Sequence, residues 1–141
     1  MDETDTAAPT GRRLRLAAAE RERVGEFTCR ARITLLAPDG ARYEGRAELP
    51  VNEQNLLRVA ALAALEAVAA FLRGAVEVRL VGLRSLRIFD TAVVAVQINA
   101  RAAERQKLLL GIALASEDSV AGTARAVLHA TNRLIGDFIE R

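Results

Sequence analysis

Residues 52–73 read NEQNLLRVAALAALEAVAAFLR, a run without Gly or Pro and built mostly from Ala and Leu, the strongest helix formers. Leu57, Ala61, Ala64, Leu65, Val68 and Leu72 recur at helical spacing and make one apolar face. Val59, Leu62, Ala63, Ala69 and Ala70 spread apolar atoms over the other sides, leaving Arg58, Glu66 and Arg73 as a narrow polar stripe. A helix apolar nearly all round needs cover on more than one side. One sheet covers one side, and a second chain is the cheapest cover for the other. The expectation is therefore a homodimer with Ala61, Leu62, Leu65 and Ala69 at the interface; the competing reading is an Ala-rich core helix of a monomer. Asn52 is placed to cap the start, with Gln54 and Asn55 in the first turn. Gly74 is placed as the stop.

The composition sets the frame for that helix. A chain of 141 residues, 51% hydrophobic, is one domain with a sizeable core; at 4% aromatic and no Trp, that core is aliphatic. A net charge of +2 implies neither a nucleic-acid nor a membrane-surface partner. The lone cysteine, Cys29, excludes an internal disulfide and fits a reducing compartment. No run approaches the ~20 uncharged apolar residues of a membrane helix, and the acidic start lacks the pattern of a signal peptide. A cytoplasmic protein without a membrane partner is expected. Residues 1–12 read as a disordered tail and residues 13–141 as the domain.

Outward from the helix, the chain alternates. From Phe27 to Leu35, Phe27, Cys29, Ala31, Ile33 and Leu35 face one way, while Thr28, Arg30, Arg32 and Thr34 face the other, as in a half-buried strand. Pro38-Asp39-Gly40 is a turn. A second strand follows with Tyr43, Ala47 and Leu49 inward and Arg42, Glu44, Arg46 and Glu48 outward, ended by Pro50. Upstream, residues 14–23 (LRLAAAERER) have helical propensity but strand-like alternation, and strand is preferred. Beyond Gly74, Val76, Val78 and Leu80 alternate with Glu77 and Arg79, in a strand that runs on to Leu86 or Ile88. Asp90-Thr91 marks a turn, and Val94, Val96, Ile98 and Ala100 form the next inward set. Residues 108–115 read as an apolar strand broken by Gly111. Ser116-Glu117-Asp118-Ser119 opens a second helix, with Val120, Ala124, Val127, Leu128, Thr131, Ile135 and Phe138 on its buried face.

The two halves match. Each reads strand, strand, strand, helix, which predicts an α+β fold: a two-layer α/β sandwich of two βββα units with internal pseudo-symmetry. Leu14-Arg15-Leu16 falls on Val78-Arg79-Leu80 and Gly45 on Gly111. Leu57, Arg58, Ala61, Val68 and Phe71 fall on Ala124, Arg125, Leu128, Ile135 and Phe138.

A βββα-βββα chain resembles the C-terminal regulatory and dimerisation domain of 2-isopropylmalate synthase and citramalate synthase. The resemblance rests on Asp39-Gly40 followed by Tyr43-Glu44-Gly45, on residues 90–98, and on Gly111-Ile112-Ala113 through Ala130-Thr131-Asn132-Arg133-Leu134. It spans residues 14–139. It implies a dimer that binds an amino-acid or 2-oxo-acid effector near the strand-to-helix junctions, or that regulates a partner enzyme. The catalytic barrel of those synthases, which needs ~250 residues, has no room here. The Gly-rich approach to their first helix is replaced by Glu48-Leu49-Pro50-Val51-Asn52. Carried onto this sequence, the effector-binding candidates are Asn52, Gly111, Ser116 and Ser119. Free N–H groups at a helix start favour a carboxylate, whereas Glu117 and Asp118 repel one and are explained by capping.

No catalytic constellation is expected. His129 is the only histidine and lies on the polar side of its helix, so no His–His metal pair exists; no metal or other cofactor is predicted. Cys29, on an apolar face, reads as a core thiol. Arg30, Arg32, Arg42 and Arg46 make a basic strip that Glu26, Glu44 and Glu48 interleave, so cross-strand ion pairs are expected ahead of a nucleic-acid platform. The leading functional expectation is a non-catalytic regulatory module; the alternative is a nucleic-acid-binding module using this Arg-rich hairpin.

Overall fold

The computed structural model describes residues 13–115 and 117–139, with side chains to residue 135. The expected tail at residues 1–12, Ser116 and the Phe138 side chain lie outside the described residues. Eight elements follow in order: β1 (Arg15–Val24), β2 (Thr28–Leu36), β3 (Arg42–Pro50), α1 (Glu53–Leu72), β4 (Glu77–Ile88), β5 (Thr91–Ala102), β6 (Arg105–Leu114) and α2 (Ser119–Ile139). They form two antiparallel sheets, β1-β2-β3 and β4-β5-β6, here sheets A and B. Each sheet is followed by a helix, so the fold is α+β with a βββα repeat.

Turn chemistry closes the hairpins. Gly25 takes φ 74° between β1 and β2. At Pro38-Asp39-Gly40 the Asp39 carboxylate accepts the Ala41 N–H at 2.9 Å. β4 and β5 meet in a two-residue turn, Phe89-Asp90, with both residues left-handed (φ 52° and 61°). That is the twist a tight hairpin wants. Thr91, expected in the turn, begins β5 instead.

α1 starts where Asn52 accepts the Asn55 N–H at 2.8 Å and ends at Arg73 in the left-handed region, followed by Gly74 with φ 81°. It packs on the inner face of sheet A against β3 and β2, then reaches β4 and α2. α2 packs on β6 and β5 and reaches back to β1. The all-round apolar character of α1 is thus satisfied within the chain: Val59, Ala60, Ala61, Ala63, Ala64, Leu65, Ala67, Val68 and Leu72 are all buried. By length and a mean hydropathy of 1.7, α1 also matches a membrane span despite Arg58 and Glu66. Those two charges keep it from being the uncharged apolar run that the sequence was expected to lack. Here the helix packs on the protein's own strands.

The repeat extends to irregularities. β1 bulges between Leu16 and Ala18, and β4 between Leu80 and Gly82. Gly45 faces Ile33 across sheet A as Gly111 faces Val96 across sheet B. A Cβ on Gly45 would overlap the Ala63 carbonyl and stand 2.6 Å from the Ala67 nitrogen; on Gly111 it would overlap the Ala126 carbonyl and stand 2.6 Å from the Ala130 nitrogen. One residue on, the Arg46 N–H donates to Glu66 Oε1 at 2.6 Å and the Ile112 N–H donates to His129 Nδ1 at 2.9 Å. These contacts fix the helix register: Ala63, Glu66 and Ala67 correspond to Ala126, His129 and Ala130. The sequence alignment of Leu57 with Ala124 is four residues out of that register, one helical turn. Gly111 does not break β6, which runs unbroken through it. Phe27, expected inward, sits in the β1–β2 turn and is 77% exposed.

Candidate functional site

Both helix starts are capped by the chain itself. Asn52 caps α1 through its side chain. At α2 the Asp118 carboxylate accepts the N–H groups of Val120 at 3.0 Å and Ala121 at 3.1 Å. Ser119, the first residue of α2, is half-buried, and its carbonyl accepts the Thr123 hydroxyl at 2.7 Å. Gly111 lies under α2, where its missing side chain admits the Ala126–Ala130 backbone. Of the four effector candidates, then, Asn52 belongs to the α1 start, Ser119 and Gly111 belong to the α2 layer, and Ser116 is outside the described residues. Asn52 and Gly111 each have a structural use: a cap and a close helix–strand approach.

The four residues expected at a dimer interface divide. Ala61 and Leu65 are buried within the chain, where α1 also contacts α2 and β4 besides sheet A. Leu62 is half-buried and Ala69 exposed.

The outer face of sheet A is a lattice of charges. Register places Glu20, Arg32 and Arg46 side by side, and Glu22, Arg30 and Glu48 in the adjacent row. Arg30 bridges Glu48 at 2.7 Å and Glu22 at 3.4 Å. Arg32 pairs with Glu20, and Arg46 with Glu44 at 2.6 Å. The hydrogen bond that Arg30 donates to the Glu48 carboxylate is the main cause that raises its guanidinium above the ordinary pKa; for Arg32 the cause is the bond it donates to Glu20. A shallow depression between these rows is lined by Glu20, Arg21, Glu22, Arg30, Arg32 and Arg46. Arg30 and Arg32 have carboxylate partners across strands and Arg46 has one along β3, so these three arginines are neutralised by their own sheet.

On the equivalent face of sheet B the outward row of β6 is apolar. Alternation on β6 points Leu109, Gly111 and Ala113 at α2 and turns Leu108, Leu110, Ile112 and Leu114 outward. Leu110 is 70% exposed and Leu114 65%. Pairing sets Val93, Ala95, Gln97 and Asn99 of β5 beside them, then Leu86 and Ile88 of β4, with Arg79 and Arg84 at the margin. Phe89, 97% exposed, extends this strip at the hairpin tip. Sequence reading missed the face because KLLLGIAL is apolar at nearly every position, which reads as a strand buried on both sides.

The remaining reactive groups are engaged in packing. Cys29 is buried, with Sγ 3.4 Å from the Leu49 carbonyl. His129 accepts the Ile112 N–H through Nδ1 at 2.9 Å. Among the described residues no group of three His, Cys, Asp or Glu side chains converges as metal ligands would. No protein-family model matches the chain, and the search of curated proteins finds no match.

Proposed function

We propose that the chain is a non-catalytic association and regulatory module, whose business is to bring protein surfaces together. The observation that carries this reading is the outward apolar stripe Leu108, Leu110, Ile112 and Leu114, on a sheet whose pseudo-symmetric counterpart is charged. Exposed contiguous apolar faces of this kind mark interaction sites. The polar groups that would serve chemistry instead serve the fold: Asp118 caps α2, His129 holds the β6 edge, and the sheet A carboxylates pair with arginines. The same pairing weighs against a nucleic-acid interface, which needs unpaired cations for phosphates. The regulatory half of the reading comes from the sequence resemblance: an amino acid or 2-oxo acid would act at the helix starts, around residues 49–55 and 113–120, or a partner enzyme would be the target. A cytoplasmic setting suits the reduced thiol of Cys29.

Sedimentation of the full chain across micromolar concentrations tests this, alone and with a panel of amino acids and 2-oxo acids. Association above the 15.2 kDa protomer mass is expected. A strictly monomeric chain, indifferent to every member of the panel, overturns the reading.

A further inference from the structure

Building on the association reading above, we propose that the partner of the sheet B face is a second copy of this chain, docked outer face to outer face about a two-fold axis. Such a dimer needs one patch that meets itself. A two-fold interface is isologous, the same surface on both sides, and a sheet face with an uncharged centre meets its own copy without like-charge repulsion. Leu110 and Ile112 of β6 lie beside Gln97 and Ala95 of β5, and the nearest arginines, Arg79 and Arg84, lie on β4 at the margin. A centre free of charges, apolar along β6 and polar at Gln97 and Asn99 of β5, with the arginines at the rim, matches the depletion of charged residues at the core of protein interfaces.

The area suffices. Three strands of up to 12 residues, at ~3.4 Å per residue and ~4.8 Å between strands, cover on the order of 500 Å² in projection. Two such faces in contact bury about the 1,000 Å² that separates a specific interface from a casual one.

The contact is through the face and not the edge of the sheet. β6 is an edge strand, but the His129 side chain occupies the Ile112 N–H that an added strand would need. Packing of the two faces leaves that bond intact, and sheets pack this way about 10 Å apart. Phe89 gives independent support. It holds a left-handed backbone (φ 52°), which Asn or Gly adopts more cheaply, and presents a whole aromatic ring to solvent at the end of the same strip. A strained, exposed aromatic at that point is what an interface anchor looks like in the free protomer.

Light scattering on the full chain provides the test. Wild type is expected at twice 15.2 kDa, and L110E/L114E at the protomer mass with an unchanged far-ultraviolet spectrum, since both side chains are already open to solvent. Hydroxyl-radical footprinting of the unmodified chain, dilute against concentrated, is expected to protect Leu108, Leu110, Leu114 and Phe89 as the mass doubles, and it does not depend on the variant folding. A variant that stays dimeric, or protection confined to other surfaces, overturns this interface while leaving the association reading in place. A wild-type monomer at every concentration overturns both.

Discussion

A methyl group at Gly45 or Gly111 has nowhere to go, because the backbone of the overlying helix fills the space. Gly45→Ala and Gly111→Ala are each expected to lower stability by at least the ~1–3 kcal/mol typical of overpacking, read as an earlier urea midpoint. Gly82→Ala is the control: a Cβ there meets only the Gln97 side chain, at 3.6 Å, and the change is expected to be tolerated. Equal effects at all three positions would show that the close approaches are not what the glycines are for. Phe89 makes the opposite case. In the L110E/L114E background, where assembly no longer contributes, Phe89→Asn is expected to stabilise the protomer by about 0.5–1 kcal/mol, because Asn visits the left-handed region more cheaply. A loss of stability would mean that the ring packs on its own protomer and is not held in readiness for another.

Each helix owes its start to one side chain. Asn52→Ala and Asp118→Ala are each expected to cost about 1 kcal/mol, the usual worth of an N-cap; a variant with an unmoved urea midpoint would show its cap to be replaced by water. The interior of α1 is less forgiving. Ala61 is fully buried, so Ala61→Glu is expected to abolish the cooperative unfolding transition and not merely to halve the mass. A folded monomeric A61E would return that residue to the surface. The order and kind of all eight elements were legible in the sequence, including β1, where strand alternation and the match to β4 outweighed the helical propensity of Ala and Glu. The helix register of the repeat was not. Shifting an amphipathic helix by four residues moves it one turn and keeps its apolar face, so the two registers look alike in apolar residues. Glu66 and His129 separate them, yet a carboxylate and an imidazole share no sequence likeness; what they share is the strand N–H that each accepts. The effector candidates suffered a related degeneracy. Asn and Ser before a helix suit a ligand or a cap equally well, and at Asn52 the structure shows the cap.

Across the whole molecule, the apolar surface of α1 announced that something must cover it without saying what. The cover turned out to be the other half of the same chain, and the surplus apolar surface lies instead on sheet B. The two βββα units are alike inside and unlike outside: matching bulges and glycines within, an ion-pair ladder on one outer face and a leucine stripe on the other. That division follows from what each surface answers to. The inner faces must fit two helices in one register, whereas each outer face is free to take up its own task. The mutual cover has a consequence for folding. α1 leans on β4 and α2, and α2 leans on β1, where the Asn132 amide brackets Leu14 by accepting its N–H at 3.2 Å and donating to its carbonyl at 3.5 Å. A unit severed from its neighbour would expose the apolar side of a 20-residue helix that is only marginally stable alone in water. Its three-stranded sheet, with one helix, would keep only part of the core. Residues 1–74 and 75–141, expressed separately, are therefore expected to show little cooperative structure by circular dichroism. Mixed in equal amounts, they are expected to recover the spectrum and a single unfolding transition. A fragment that folds cooperatively by itself would make the units independent domains, and the contacts of α1 with β4 and α2 would then be a docking of finished parts rather than a shared core.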